Sequence, residues 1–221
     1  MSKKELPPPL PPETRTVGQL VAETLKIYGE NVWRSLALGV SLMVINQVTA
    51  RRETLVQAVL LAVASPLMAA SFTGASAIVL GVRPPARDVV RAVVVGSIVF
   101  APAAFLSLLF IFPAVAWLAL FGLVVPVLVL ERLPTGAAFR RAIELARADY
   151  IHAVGSLATL AILFGLVRLM LVLLLRDLGD AGERAALALG DLVLSPLLFL
   201  GGALLYVDQA ARVRSKPKPA T

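Results

Sequence analysis

The hydrophobic pattern is dominated by one stretch, Ala92 to Leu130, in which 39 consecutive residues carry no charge and only Pro102, Pro113 and Pro126 interrupt the apolar run. As one helix it would extend about 58 Å, nearly twice the ~30 Å of a bilayer's hydrocarbon core. The stretch therefore predicts two spans, 92–111 and 114–130, reversing near Phe112 and Pro113. Further apolar runs occupy 35–50, 54–79, 151–175 and 185–206. The pattern predicts an all-α fold, a polytopic membrane helical bundle of about six transmembrane helices. Pro66 is expected to bend the second span.

Between these runs the pattern changes from continuous to periodic. Val17, Leu20, Val21, Leu25 and Tyr28 recur at helical intervals behind Thr16 and Gln19, whose spacing is that of a capping box. Thr135 is positioned to cap a second such helix. Its Phe139, Ala142, Ile143, Ala146 and Tyr150 make one face and Arg140, Arg141, Glu144 and Arg147 the other. Both segments are expected to be interfacial amphipathic helices on the membrane surface. Arg83, Arg87 and Arg91 stand at steps of four, which would align three cations on a short helix over 81–91. Small residues in span two, among them Ser65, Ala69, Ser71, Gly74 and Ser76, would let another helix approach closely. Residues 1–15 form a Pro-rich arm expected to be flexible and cytoplasmic, 16–210 the membrane domain, and 211–221 a basic tail.

Composition explains where this apolar surface must go. At 58% hydrophobic and 16% charged, the chain holds more apolar surface than a soluble domain of 221 residues could hide, so the excess faces lipid. The net charge of +7 is unevenly spread. With both termini on one side of a six-span chain, that side collects 16 of the 21 Lys and Arg residues. The positive-inside rule then predicts a multi-pass inner-membrane protein with both termini cytoplasmic. Tyr28, Trp33, Tyr150 and Tyr206 fall at the expected inner interface and Trp117 near the outer one. The basic segments adjoin spans and have no aromatic-interleaved fold of their own, which argues against nucleic acid. Anionic headgroups are the expected partner, at about 1 kcal/mol per basic residue near the surface. A membrane or cytoplasmic protein could meet the helix around Arg140, Arg141, Glu144 and Arg147.

Candidate chemistry is sparse. There is no cysteine, hence no thiolate nucleophile and no Cys-based metal site. His152, the single histidine, stands at the inner end of span five without neighbours to make it a base or a ligand, and reads as an interfacial residue. No phosphate loop, dinucleotide fingerprint or Gly-x-Ser-x-Gly elbow occurs. No catalytic residue, cofactor or metal is expected. What remains is Arg168 in span five and Asp191 in span six, 11 or 12 residues either side of Gly179-Asp180. An antiparallel hairpin puts both at one depth, so they can meet. Each alone costs about 2.5 to 3.5 kcal/mol at the centre of a span, and pairing removes part of that. The pair is either a salt bridge fixing the hairpin's register or a coupling site for an ion or proton.

Three segments carry a family resemblance. Thr16-Val17-Gly18 through Tyr28-Gly29-Glu30-Asn31, Val129-Leu130-Glu131 with Ala138-Phe139-Arg140-Arg141-Ala142-Ile143-Glu144-Leu145, and Leu205-Tyr206-Val207-Asp208 resemble the glycerophosphoryl diester phosphodiesterase membrane-domain family and its uncharacterised relatives. The similarity runs over nearly the whole chain after the arm. Ala142 stands where a serine often follows the arginines, and Gln209-Ala210-Ala211 replaces the usual run after the aspartate. The resemblance implies a six-helix membrane bundle. It also implies no hydrolase activity, because the hydrolytic members carry a separate soluble catalytic domain that this sequence does not show. The expected role is a non-catalytic membrane accessory or scaffold; the alternative is a small transporter or permease using Arg168 and Asp191.

Overall fold

The computed structural model describes residues 11–50, 52–175, 177 and 179–215. Residues 1–10 of the arm, Arg51, Arg176, Leu178 and the tail beyond Ser215 lie outside the described residues. Every regular element among those described is helical. A 3₁₀ turn at Pro12–Thr14 leads into α1 (Val17–Glu30) and α2 (Val32–Thr49), then α3 (Thr54–Val63) and α4 (Ser65–Leu80). After them come α5 (Ala86–Leu106), α6 (Ile111–Phe121), α7 (Val124–Leu130), α8 (Thr135–Ala148), α9 (Tyr150–Leu175) and α10 (Gly179–Ser215).

Four stretches are long and apolar enough to cross a membrane: α5, α6 with α7 as Ile111–Leu130, α9 and α10. A fifth is the pair α3 and α4, bent by 54° at Ala64. Pro66 stands in the first turn of α4, where a proline costs the helix no hydrogen bond, so the expected bend falls just before it. The α2 helix is outside this set: Arg34, Asn46 and Gln47 lower its hydropathy. Length and hydropathy thus support four or five crossings, where the sequence pattern suggested six.

The central hairpin turns at Ser107–Phe110, a few residues before the expected Phe112 and Pro113. Pro113 instead lies within the first turn of α6, whose early N–H groups have no intrahelical partner. The helix expected over 81–91 starts only at Ala86, because Pro84 and Pro85 force extended backbone before it. Arg83 is consequently in a loop, and only Arg87 and Arg91 ride on α5. Gly81, at φ 62°, ends α4 in the left-handed conformation that glycine adopts without strain. The capping box forms as expected, with Thr16 and Gln19 exchanging side-chain and backbone bonds. Thr135 does not cap α8: it is the first helical residue, and its hydroxyl accepts from Arg91.

The core lies where α4, α5, α7 and α10 come together. Leu20 of α1, Phe72 of α4, Val99 of α5, Val127 of α7 and Leu200 of α10 all belong to it. The small patch on α4 is the packing surface it resembled, with Ser65, Ala69, Ala75 and Ser76 all buried. Ser71 donates to Ser41 of α2 at 2.9 Å. On α1, Leu20 and Thr24 point inward while Leu25, expected on the apolar stripe, is exposed. Trp117, expected near the outer interface, is half-buried level with Val99 and donates to its carbonyl at 2.9 Å. Tyr206, expected at the inner interface, is buried and bonded to Glu131.

Candidate functional site

The α2 and α10 helices run antiparallel in close contact. Gly39 makes this possible, because any Cβ there would overlap the backbone carbonyl of Leu192. Ser195 reaches the Gly39 carbonyl at 3.4 Å, and Gln47 donates to the Arg184 carbonyl at 3.1 Å. Between these contacts stands Asp191, 1% exposed. Asn46 Nδ2 donates to its Oδ2 at 2.8 Å, and Arg168 Nη1 of α9 lies 3.2 Å from its Oδ1. The expected pair is therefore assembled, and three helices meet on one carboxylate. Asn46, a polar residue near the end of the apolar run 35–50, is the third member. The available signal was its depth, close to that of Arg168 below the same interface.

A cavity of about 570 Å³ opens beside this cluster. Its walls are apolar, with Phe72, Phe100, Phe164 and Phe199 among them; its polar lining residues are Asn46 and Arg168. Asp191 does not line it. The guanidinium and the amide stand between the buried carboxylate and the cavity.

The surface helix divides. Arg140, Glu144 and Arg147 are exposed on α8, while Arg141 is turned inward. Its Nε lies 3.3 Å from Glu131 Oε1 and its Nη1 2.9 Å from Glu144 Oε2. Tyr206 Oη donates to the same Glu131 oxygen at 2.9 Å, so α7, α8 and α10 are joined through one carboxylate. Burial alone would lower the Arg141 pKa, but Glu144 and Glu131 more than reverse this and hold it above the usual arginine value. The opposite face of α8 packs inward through Ala138, Ala142, Leu145 and Ala146.

At the same end, Arg15 pairs with the buried Asp208. Arg212 pairs with Asp149 and donates to the Arg15 carbonyl. The segment before α1, the α8–α9 corner and the end of α10 are thereby tied together. His152 sits beside this cluster, its backbone N–H donating to Asp149 Oδ1 at 3.0 Å.

The fold and this cluster define a helical protein with several membrane-length apolar helices and an apolar cavity lined in part by Arg168. In comparisons with family models, curated proteins and solved structures, the chain matches none.

Proposed function

We propose that the chain is an inner-membrane protein that crosses the bilayer six times with both termini in the cytoplasm. In this reading it is a non-catalytic accessory or scaffold, and the Arg168–Asp191–Asn46 cluster fixes the register of α2, α9 and α10. The observation that carries the scaffold reading is the enclosure of Asp191. A carboxylate that couples transport must be reached by water or an ion, whereas this one is 1% exposed and held from two sides by Asn46 and Arg168. The sixth crossing is supported by the lie of α2, whose contacts from Gly39 to Gln47 follow α10 from Ser195 to Arg184. A helix that lies along a spanning helix over this length would cross with it. Its polar Asn46 is tolerated because it faces Asp191 rather than lipid.

Membership of the glycerophosphoryl diester phosphodiesterase membrane-domain family belongs to the same proposal. It is supported by the meeting of two of the three segments that carry the resemblance: Glu131 accepts one hydrogen bond from Arg141 and another from Tyr206. The exposed Arg140 and Arg147 would face anionic headgroups or a partner protein.

The test is a double-mutant cycle in lipid, comparing thermal stability of Arg168→Ala, Asp191→Ala, the double alanine and the charge swap. Breaking a buried pair from one side leaves an uncompensated charge, so each single change is expected to cost about 3 to 5 kcal/mol and the double change less than their sum. Unchanged stability in both single variants would remove the register role. The transporter reading is the second one, favoured by the cavity reaching Arg168. It requires ion or proton flux in liposomes that Asp191→Asn abolishes.

A further inference from the structure

The cavity beside Arg168 contributes nothing to a purely mechanical clamp. We propose that it binds a single-chain amphiphile with an anionic head, a carboxylate or a phosphate monoester, drawn sideways from the bilayer. The head meets Arg168 and Asn46, and the tail lies along the apolar wall toward Leu157. This rests on the reading that the chain spans a membrane.

Charge fixes the head. Arg168 carries five N–H donors, of which one nitrogen, Nη1, approaches Asp191; no other acceptor among the described residues takes the rest. Its side chain is 31% exposed while Asp191 is enclosed, so an occupant would meet the cation rather than its counter-ion. An anionic oxygen there would form charge-assisted hydrogen bonds in a water-poor setting. Asn46 already spends one amide hydrogen on Asp191, and its remaining polar atoms stand at the same end of the cavity.

Shape fixes the tail. From Arg168 the lining of α9 steps through Gly165, Ala161, Ala158 and Leu157, a run of about 16 Å along one helical face. The volume, about 570 Å³, lies within the ~300–1,000 Å³ of small-molecule sites. Ile111 and Phe112 at the start of α6 and Ile162 of α9 line the cavity and are also half or more exposed, which marks a mouth between α6 and α9. The α9 helix is the least enclosed of the candidate spans, with 6% of its apolar window buried against 61% for α6–α7. The mouth therefore faces acyl chains.

The experiment uses the full chain in detergent and measures equilibrium binding of radiolabelled hexadecanoate, with hexadecyl phosphate and hexadecanol as competitors. Saturable binding is expected, displaced by hexadecyl phosphate and only at about tenfold higher concentration by the uncharged alcohol. Whichever anion binds more tightly identifies the head. Gly165→Phe is the discriminating variant: Gly165 lines the cavity, and a Cβ there meets no atom within 4 Å, so the ring fills the space and leaves Arg168 and Asp191 paired. It should weaken binding about tenfold or more without lowering the melting temperature. Non-saturable uptake, equal displacement by hexadecanol, or full binding by Gly165→Phe would each overturn the proposal. Because that variant keeps the charge pair, its result is independent of the double-mutant cycle.

Discussion

Gly39 shows how much one residue decides in this bundle. The contact it permits is backbone against side-chain position, and a carbonyl cannot rotate away as the tip of a leucine can. Gly39→Ala is therefore expected to destabilise toward the upper end of the ~1–3 kcal/mol typical of overpacking, seen as a lower melting temperature in lipid. Gly165→Ala, with open space around the new methyl, is the matched control and should not lower it. If both variants melt like the native chain, α2 and α10 do not meet at Gly39. The neighbouring charge pair was legible in the sequence because depth along a helical hairpin can be counted from its loop, and Arg168 and Asp191 are separated by one loop only. Asn46 was not, since its partner is 145 residues away and a polar residue near a span end looks interfacial. The cavity was equally hidden: it is space left between α6, α9 and α10, and no single periodicity encodes it.

Among the elements, α8 is where a pattern read correctly still misassigned a side chain. Its apolar face was visible in Ala142 and Ala146, but Arg141 was grouped with Arg140 and Arg147 because helical spacing alone puts it on the polar side. The acceptor that turns it inward, Glu131, lies outside the helix across a Pro-containing loop. The structure assigns α8 two energetic sides. Glu131→Ala removes the oxygen shared by Arg141 and Tyr206 and is expected to cost about 1 to 3 kcal/mol. Arg140→Ala and Arg147→Ala, both at exposed positions, should stay within about 0.5 kcal/mol. Thermal melts of the three variants in one lipid check this, and equal losses would show that α8 is not docked through Glu131. The displaced starts and turns have a common local cause: Pro84 and Pro85 delay α5, while Pro113 is admitted into the first turn of α6.

For the whole molecule the open quantity is which surface faces which compartment. The apolar runs made a helical bundle legible from the sequence, because stretches of that length have few other ways to satisfy their backbone. Counting crossings was harder, since α2 combines spanning length with polar residues that only its contacts with α10 account for. The two observations make one joint prediction. If α2 crosses beside α10 and the basic side is cytoplasmic, Gly136 at the start of α8 faces the cytoplasm and the turn before α10 faces outward. The absence of cysteine allows each position to be tagged alone. Gly136 is exposed with open space around it, so Gly136→Cys is tolerable. Gly179 has φ 71° and would be strained by a side chain, so the outer label belongs at exposed Ala181. An impermeant thiol reagent applied to intact cells should modify Ala181→Cys and leave Gly136→Cys untouched until the membrane is opened. Modification of both from outside would mean an even number of crossings between them, and α9 would then be lying along the membrane instead of through it. The reverse pattern would keep the bundle and invert it, placing Arg140 and Arg147 on the outer face and removing the cytoplasmic headgroups as their partner.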